Sequence, residues 1–421
     1  MQKKLWPIFI VVFLNMLGFG IIIPVIRDLT EILVNNSGYN PNYYAFYAGI
    51  LMASYSFFQL IFSPMLGRAS DLYGRRIILV ISVVGSVISY LMWAVSHSYV
   101  FFLISRIISG VTGANLSVAQ SYIADVTNEK DRAKYMGLMG AIFGIGFILG
   151  PFFGGVASTI DINHIFGGVT IFNRFGAIGI LTAVLSIINL IWIIFGLPES
   201  RTRSEMAGER GSTTGRREEK GGHRVFKFMN VRMIKNKHIV RLFLIYFIMQ
   251  LGFNHIEAIL SWDLKDRFNM DTRETGYFFA FMGIILALVQ GGVYRILLKK
   301  YSLLKLSLIG TTSLLLGFFL MPISYPLLMA SLTIVVLAFG MGISSPSIMT
   351  LTSIYASKEE QGVTMGMLQS FGSLSRVIAP ITATLAYDVF AHSAPYIISG
   401  VLAFIGLILI QKERKESGDT K

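Results

Sequence analysis

The stretch Gly140–Gly155 reads GAIFGIGFILGPFFGG and carries Pro151 among six glycines, inside a long apolar run. In a soluble helix each interior glycine would cost about 1 kcal/mol relative to alanine. In a bilayer glycines let two helix backbones approach closely. Gly146, Gly150 and Gly154 are four residues apart, so they line one face of a helix. The stretch predicts a membrane helix with either an ordinary small-residue packing face or a face shared between two halves of the molecule.

The second half of the chain repeats this neighbourhood at a constant offset. The matching residues are Gly113 and Gly342, Gly137 and Gly366, and Pro151 and Pro380. Weak internal symmetry of this kind is typical of membrane transporters built from repeated halves. The repeat therefore favours the second interpretation, in which two halves share the glycine face.

Composition argues against a soluble globular protein. Of 421 residues, 54% are hydrophobic and only 14% are charged. The apolar residues fall in twelve runs of roughly the 20 residues that a membrane helix needs. The runs are residues 5–26, 43–66, 77–95, 99–124, 133–157, 175–197, 239–261, 275–298, 303–321, 327–355, 362–387 and 394–411. With the repeat, they predict an all-α integral membrane protein with twelve transmembrane helices in two pseudo-symmetric six-helix bundles.

Two polar segments divide this pattern. Residues 198–237 are rich in Arg, Glu, Gly and Ser, a composition that cannot bury a core, so we expect a flexible cytoplasmic linker there. The linker separates an N-terminal six-helix bundle, residues 1–197, from a C-terminal bundle, residues 238–421. The tail from Lys412 onward is also polar, and we expect it to be disordered.

The formal net charge of +13 indicates membrane topology rather than nucleic-acid binding. Most Lys and Arg residues fall in loops and tails on one side of the predicted helices, which the positive-inside rule identifies as the cytoplasmic side. We expect a plasma-membrane or inner-membrane protein with both termini in the cytoplasm. Membrane lipid is an expected partner, and nucleic acid is not. The chain has no cysteine, so no disulfide framework exists.

The loop after the second predicted helix, residues 67–76, reads GRASDLYGRR. Its glycines permit a tight turn, and Asp71 can pair with an arginine or with a helix amino terminus. An ordinary basic cytoplasmic loop would explain the arginines but not the glycine spacing around an acid. The loop resembles the signature loop of the major facilitator superfamily, between its second and third helices. The resemblance implies that Asp71 and Arg75 belong to an inner gate that holds the two halves together in the outward-facing state.

Other segments of the first 197 residues resemble the drug:proton antiporters of that superfamily, and most closely the tetracycline:proton antiporters. They are FGIIIP (19–24), FSPMLGRASDLYGRR (62–76), RIISGVTGA (106–114), YIADVT (122–127) and GPFFGG (150–155). The resemblance implies export by alternating access, with Arg106 linked to proton coupling. The residues expected to govern gating and conformational change are Gly67, Asp71, Gly74, Arg75, Arg76, Gly146, Gly150, Pro151 and Gly154.

The chain differs from the tetracycline:proton antiporters in the acidic residues of its predicted membrane helices. In the tetracycline exporters an aspartate is usual at the positions of Asn15 and Ser89, and the ninth predicted helix here, residues 303–321, contains no acid. The groups that would pair with a cationic or metal-chelated drug are therefore missing. This difference argues against tetracycline itself as the substrate.

Three ionisable residues lie deep in predicted helices: Arg106, Glu257 and Arg376. Such residues are costly in a bilayer and commonly mark functional sites, although a buried Arg–Glu pair could simply join helices. Glu257 is the first candidate for proton coupling, because burial favours the neutral acid and a nearby arginine favours the carboxylate. Arg106 and Asp125 are further candidates, but Asp125, near the inner end of the fourth helix, is more easily explained as structural.

Polar residues within the predicted helices are candidates to line a substrate cavity, although a lone membrane Asn more often donates a hydrogen bond in helix packing. The candidates are Asn15, Gln59, Arg106, Asn115, Gln250, Asn254, His255, Glu257 and Arg376. His255 is two residues from Glu257 and so on a different helix face, which makes it weaker. Two arginines against one carboxylate favour an anionic or zwitterionic substrate head over a cation.

The main hypothesis is a secondary active transporter that exports an amphipathic organic compound (drug-like, anionic or lipid-like) as protons re-enter. One alternative is a uniporter or importer of an organic anion without proton coupling, in which Arg106 and Arg376 hold the substrate. Another is a sensor or scaffold that keeps the fold without transport. No phosphate-binding loop and no metal-ligand cluster occurs. We therefore expect no enzymatic activity, no cofactor and no metal, and we expect a monomer.

Overall fold

The computed structural model describes residues 5–127, 129–165, 167–168, 170–200, 236–356 and 361–417. In this part of the chain every regular element is helical. The chain forms two compact units. Unit 1 comprises Met1–Pro41, Ser54–Lys227 and Thr272–Tyr277, and unit 2 comprises Asn42–Ala53, Phe228–Asp271 and Phe278–Lys421. Residues 201–235 of the predicted linker lie outside the described residues, and the predicted domain limits stay a prediction.

The helices run in chain order with short connections. Those of the first half are α1 (Trp6–Gly20), α2 (Ile26–Asn36), α3 (Tyr44–Tyr73), α4 (Arg75–Ala94), α5 (Tyr99–Gly113), α6 (Leu116–Val126), α7 (Glu129–Ala157), α8 (Ile162–Ile165) and α9 (Gly176–Gly196). Those of the second half are α10 (Lys237–Phe268), α11 (Thr272–Leu288), a π-helical turn (Val289–Val293), α12 (Tyr294–Leu298), α13 (Leu303–Leu320), α14 (Leu327–Tyr355), α15 (Gln361–Val389) and α16 (Ala394–Glu416).

Nine helical segments of the described chain are long and apolar enough to cross a membrane. Two further apolar helices, Trp6–Gly20 and Gly144–Ala157, are shorter. Large apolar side chains such as Phe195 and Leu328 are mostly exposed, at 85% and 70%, which fits helices that face lipid because lipid tails are as apolar as these side chains. The all-helical membrane fold agrees with the sequence, and the count of twelve spans stays a prediction.

In unit 1, α1 packs along α7 through the glycine face. A Cβ atom at Gly146 would lie 2.7 Å from the main-chain oxygen of Phe13, and one at Gly150 would lie 2.9 Å from Gly20 Cα. A Cβ at Gly154 would meet the main-chain oxygen of Ile21. Both helices therefore pack backbone to backbone, as the glycine spacing predicts. These three glycines meet α1 and Ile21 directly after it, in the first half of the sequence, whereas a Cβ at Gly155 of the same stretch would lie 2.9 Å from Gly276 Cα, in the second half.

Unit 2 also contains a pair of helices that pack closely at glycines. Its helix α10 packs against α15 and α16, and α13 packs against α14. A Cβ on Gly310 would lie 2.7 Å from the main-chain oxygen of Gly340, and the reverse distance is also 2.7 Å. These two glycines let α13 and α14 cross in direct main-chain contact.

Two helices differ from the predicted runs in ways that matter for the site. The fourth predicted span, residues 99–124, consists of α5 and α6, which are separated at Ala114 and Asn115. The predicted disorder from Lys412 onward is wrong as far as Glu416, where α16 ends. Glu413 is fully buried there and pairs with Arg241 Nη1 at 2.6 Å. This buried ion pair stabilises the end of α16, where composition alone predicts disorder.

Candidate functional site

Arg106 lies in the middle of α5 and is only 1% exposed. Among the described residues none of its three guanidinium nitrogens has a hydrogen-bond partner. The guanidinium carbon of Arg106 lies over the aromatic ring of Tyr55, 4.9 Å from the ring centre. A cation over an aromatic face is stabilised by the ring quadrupole. All the N–H donors of Arg106 therefore stay available for an acceptor that the described residues do not supply.

The break between α5 and α6 lies beside this arginine and uses predicted polar residues. Gln59 Nε2 donates to the freed carbonyl of Gly113 at 3.0 Å, and it is 3.3 Å from Tyr55 Oη. Asn15 Nδ2 donates to Asn115 Oδ1 at 2.5 Å. Unit 1 thus links Asn15 to Asn115, and Gln59 to Arg106 through Tyr55, while their role in a substrate cavity stays a prediction. Tyr55 is missing from that prediction, and its position four residues before Gln59 is the sequence signal for it.

The second group of site candidates lies in unit 2 on α10. Glu257 is 5% exposed, and its Oε1 atom has no hydrogen-bond partner in the described part of the chain. Arg376 on α15 is the charged residue whose field acts on Glu257. No ion pair joins these two described side chains, and Arg376 Nη2 donates to Ser373 Oγ at 3.1 Å. Glu257 is therefore buried near a cation without being neutralised by contact.

A stripe of polar residues leads to Glu257 along one face of α10. Gln250 Nε2 is 3.1 Å from Tyr246 Oη, and Asn254 Nδ2 donates to Ser375 Oγ on α15 at 2.9 Å. Gln250 Oε1 is buried and has no partner among the described residues. Gln250, Asn254 and Glu257 were predicted from the sequence, whereas Tyr246 and Ser375 were not. The signal for Tyr246 would be its helical spacing with Gln250 and Asn254.

His255 faces away from this stripe. Its Nδ1 is 3.1 Å from Ser399 Oγ and its Nε2 is 2.9 Å from Thr382 Oγ1. Both ring nitrogens therefore have partners on neighbouring helices, and the side chain is 1% exposed. The structure places His255 in the packing of α10, α15 and α16, on another helix face than Glu257.

Asp125 and the GRASDLYGRR loop form a separate charged cluster in unit 1. Arg75 Nη2 pairs with Asp71 Oδ1 at 2.6 Å, and Arg75 Nε pairs with Asp125 Oδ2 at 3.1 Å. Arg76 donates to the main-chain oxygen of Ile194. Asp125 therefore belongs to this cluster, where it has a cationic partner. Arg75 Nη1 also donates to the main-chain oxygen of Gly67 at 3.5 Å.

Gly74 allows this loop to begin α4. Its φ is +101°, a backbone conformation that favours glycine, and a Cβ there would lie 2.5 Å from a carboxylate oxygen of Glu199. The Glu199 carboxylate accepts hydrogen bonds from the main-chain nitrogens of Arg75 at 2.8 Å and Arg76 at 3.1 Å. It thus satisfies the first donors of α4. Glu199 was not among the predicted residues, because it lies far from Arg75 and Arg76 in the sequence and no local pattern indicates the contact.

Comparison with known proteins places this arrangement in a family. A sequence model of the Major Facilitator Superfamily matches residues 8–380 and 242–421. The tetracycline resistance protein, class B, of Escherichia coli is 30% identical over 94% of this chain and 91% of its own length. Among solved structures, the human organic anion transporter MFSD10 (TETRAN) has a TM-score of 0.66 at 22% identity, covering 97% of this chain and 99% of that one.

A second solved structure shares the fold at lower identity. The bacterial homologue of the human lysosomal transporter Spinster, in an inward-facing and occupied conformation, has a TM-score of 0.77 at 14% identity. The similarity covers 98% of this chain and 96% of the other. At this level of identity the likeness concerns the fold alone.

Proposed function

This chain belongs to the Major Facilitator Superfamily of membrane transporters, and we propose that it exports an amphipathic organic compound in exchange for protons. The predicted family, the all-helical membrane fold and the prediction of a transporter rather than an enzyme are confirmed by these matches. The direction of transport, the coupling ion and the substrate are the proposal.

The observation that carries the proposal is the buried Glu257 in unit 2. A carboxyl group in a low-dielectric environment favours the proton, and a nearby cation favours the carboxylate. A conformational change that alters either factor makes the group bind a proton in one state and release it in the other. Arg376 supplies the cation, and the partnerless Oε1 atom leaves Glu257 able to hold a proton.

The charges of both units support an organic anion as the substrate class. Arg106 in unit 1 has three donor nitrogens without partners among the described residues, and Arg376 in unit 2 donates to the neutral Ser373 Oγ. Asn15 and Ser89 have neutral partners, Asn115 and the main-chain oxygen of Ser105. A cationic drug would find no carboxylate at these two positions. The similarity to a human organic anion transporter agrees with this class.

The second candidate function is an organic-anion uniporter or importer without proton coupling. The partnerless guanidinium of Arg106 favours it, because an anion clamp requires no titrating group. In this case Glu257 serves only to balance Arg376. The two functions differ in one measurable respect, since a uniporter equilibrates its substrate and never concentrates it.

The membrane location and the position of the termini are proposed from the distribution of Lys and Arg along the chain. We place both termini on the cytoplasmic side of the plasma or inner membrane, following the bias of Lys and Arg toward one side of the predicted helices. Membrane lipid and a small molecule are the proposed partners of a monomeric protein.

Proteoliposomes with an acidic lumen test the proposal. Three probes are offered outside: sulforhodamine B, an amphipathic anion, ethidium, a cation, and tetracycline. We expect the protein to concentrate sulforhodamine B in the lumen as protons leave. Glu257→Gln should abolish this accumulation but keep downhill exchange, because glutamine resembles the protonated acid in shape.

Glu274→Gln is the matched control, because it makes the same change at an exposed position in the first turn of α11. It should leave accumulation intact. Accumulation of sulforhodamine B by Glu257→Gln at the original level would refute the role of Glu257. Equilibration without accumulation by the unmodified protein would favour the uniporter, and absence of flux for all three probes would refute both.

A further inference from the structure

A carboxylate near the end of α15 caps the start of α3 through a hydrogen bond between residues 342 apart in the sequence. Asp388 Oδ2 accepts a hydrogen bond from the main-chain nitrogen of Phe46 at 2.8 Å, and the main-chain N–H of Ala45 also donates to the same side chain. Both residues lie in the first turn of α3, whose donors have no partner within their own helix. All three residues belong to unit 2. Asp388 therefore acts as the capping residue of α3 although it lies on another helix.

The cap adjoins a tight crossing of the two helices. A Cβ on Gly49 of α3 would lie 2.6 Å from the main-chain oxygen of Pro380 on α15, and it would also meet Thr384 Oγ1. Only glycine fits at this point. The start of α3 thus rests directly on the α15 backbone, and Asp388 holds it about two turns further along α15.

Unit 1 contains the counterpart of this crossing. A Cβ on Gly276 of α11 would lie 2.7 Å from the main-chain oxygen of Pro151, the residue that matches Pro380 in the sequence repeat. Near it, Thr272 Oγ1 donates to Asp28 Oδ2 at 2.5 Å. In each unit a glycine rests on a repeat-related proline carbonyl, with an aspartate binding the start of the incoming helix. Such a recurrence is unexpected for an incidental contact.

The helix α3 is divided between the two units, residues 44–53 with unit 2 and residues 54–73 with unit 1. We propose that Asp388 is a conformational latch that keeps the start of α3 on α15 and releases it during each transport cycle. This step rests on the proposed function, because alternating access requires helices to exchange contacts. Capping hydrogen bonds are directional and are lost within a small displacement, so the latch has two states rather than a gradual range.

The absence of cysteine from the chain provides a direct test. Thr384→Cys places a thiol under Gly49, at a residue that is fully buried, and a maleimide can reach it only when α3 leaves α15. In purified protein, without substrate or gradient, we expect slow labelling of this thiol. Adding Asp388→Ala should accelerate labelling about tenfold, the effect of losing a strong helix cap. Asp388→Asn, which keeps an acceptor oxygen but loses the charge, should give an intermediate rate.

Ser399→Cys is the control for general loosening, because Ser399 is equally buried on α16, where it contacts His255. Its labelling rate should not change with Asp388→Ala. An unchanged rate at Thr384→Cys in both Asp388 variants, or equal acceleration at both thiols, would overturn the latch. If the Ala variant does not fold, the Asn variant alone decides.

Sulforhodamine B flux separates this proposal from the proposed function. If the unmodified protein shows no flux but Asp388→Asn accelerates labelling only at Thr384→Cys, the proposed function fails and the latch stands. If flux occurs and labelling is insensitive to Asp388, the latch fails and the proposed function stands.

Discussion

Two charged residues at the ends of long helices, Arg75 and Glu413, differ from two at the centres, Arg106 and Glu257, in whether they form ion pairs. At the ends, Arg75 pairs with two aspartates and Glu413 pairs with Arg241. At the centres, the guanidinium nitrogens of Arg106 and the Oε1 atom of Glu257 have no partner among the described residues. Both kinds of residue are buried or nearly so, so exposure to solvent does not explain the difference.

This difference separates stability from transport. Removing one member of a buried pair leaves an uncompensated charge and is strongly destabilising. A buried charge without a partner adds no ion pair that stabilises the fold, and burying it costs free energy. Proteins keep such groups mainly where they bind or move something. We therefore expect substitutions at the helix ends to change stability and substitutions at the centres to change binding.

The largest expected effect on stability is that of Glu413→Ala. Glu413 binds Arg241 at 2.6 Å and His238 Nδ1 at 2.7 Å, and it has no exposure. Its removal should lower the free energy of unfolding by about 3–5 kcal/mol. Thermal unfolding in detergent should show a Tm lower by several degrees. Glu416→Ala, at a residue whose side chain is 29% exposed, is the control and should change Tm far less.

Arg106→Gln tests the opposite half of the comparison. Since no described residue accepts a hydrogen bond from Arg106, we expect Tm to stay the same or to rise. Binding of sulforhodamine B should weaken about tenfold or more, because a charge-assisted contact contributes about 1.5–3 kcal/mol. Ethidium binding should not weaken. A fall in Tm as large as that of Glu413→Ala would identify Arg106 as a structural residue and would break the comparison.

The smallest expected effect is that of Asp71→Asn. The Asp71 side chain is 37% exposed, and Arg75 keeps its contacts with Asp125 and Ser70 when the charge is lost. The loss of stability should stay within about 1 kcal/mol, as for other exposed ion pairs. The inner-gate role implied by the family resemblance predicts a larger effect on sulforhodamine B flux than on Tm. Equal, negligible effects on both would count against that role.

Local sequence patterns predicted many features of the fold and several buried polar residues of the candidate site. The spacing of Gly146, Gly150 and Gly154 predicted close helix packing, and polarity in apolar runs identified Arg106 and Glu257. The same patterns did not predict the break at Ala114 and Asn115, whose freed carbonyl at Gly113 is bonded by Gln59 on another helix. Apolar periodicity is continuous across the break, because the compensating donor is distant along the chain.

By itself the sequence predicted an all-helical membrane protein, which helix faces pack closely and which charged side chains are buried. These properties follow from length, apolarity and helical spacing, all of which are local. Only the tertiary structure decided the partners. It placed the glycine face of α7 on α1, joined Glu413 to Arg241, and left Arg106 without an acceptor among the described residues. Pairing depends on which helices meet and at what depth, and residues far apart in the chain determine both.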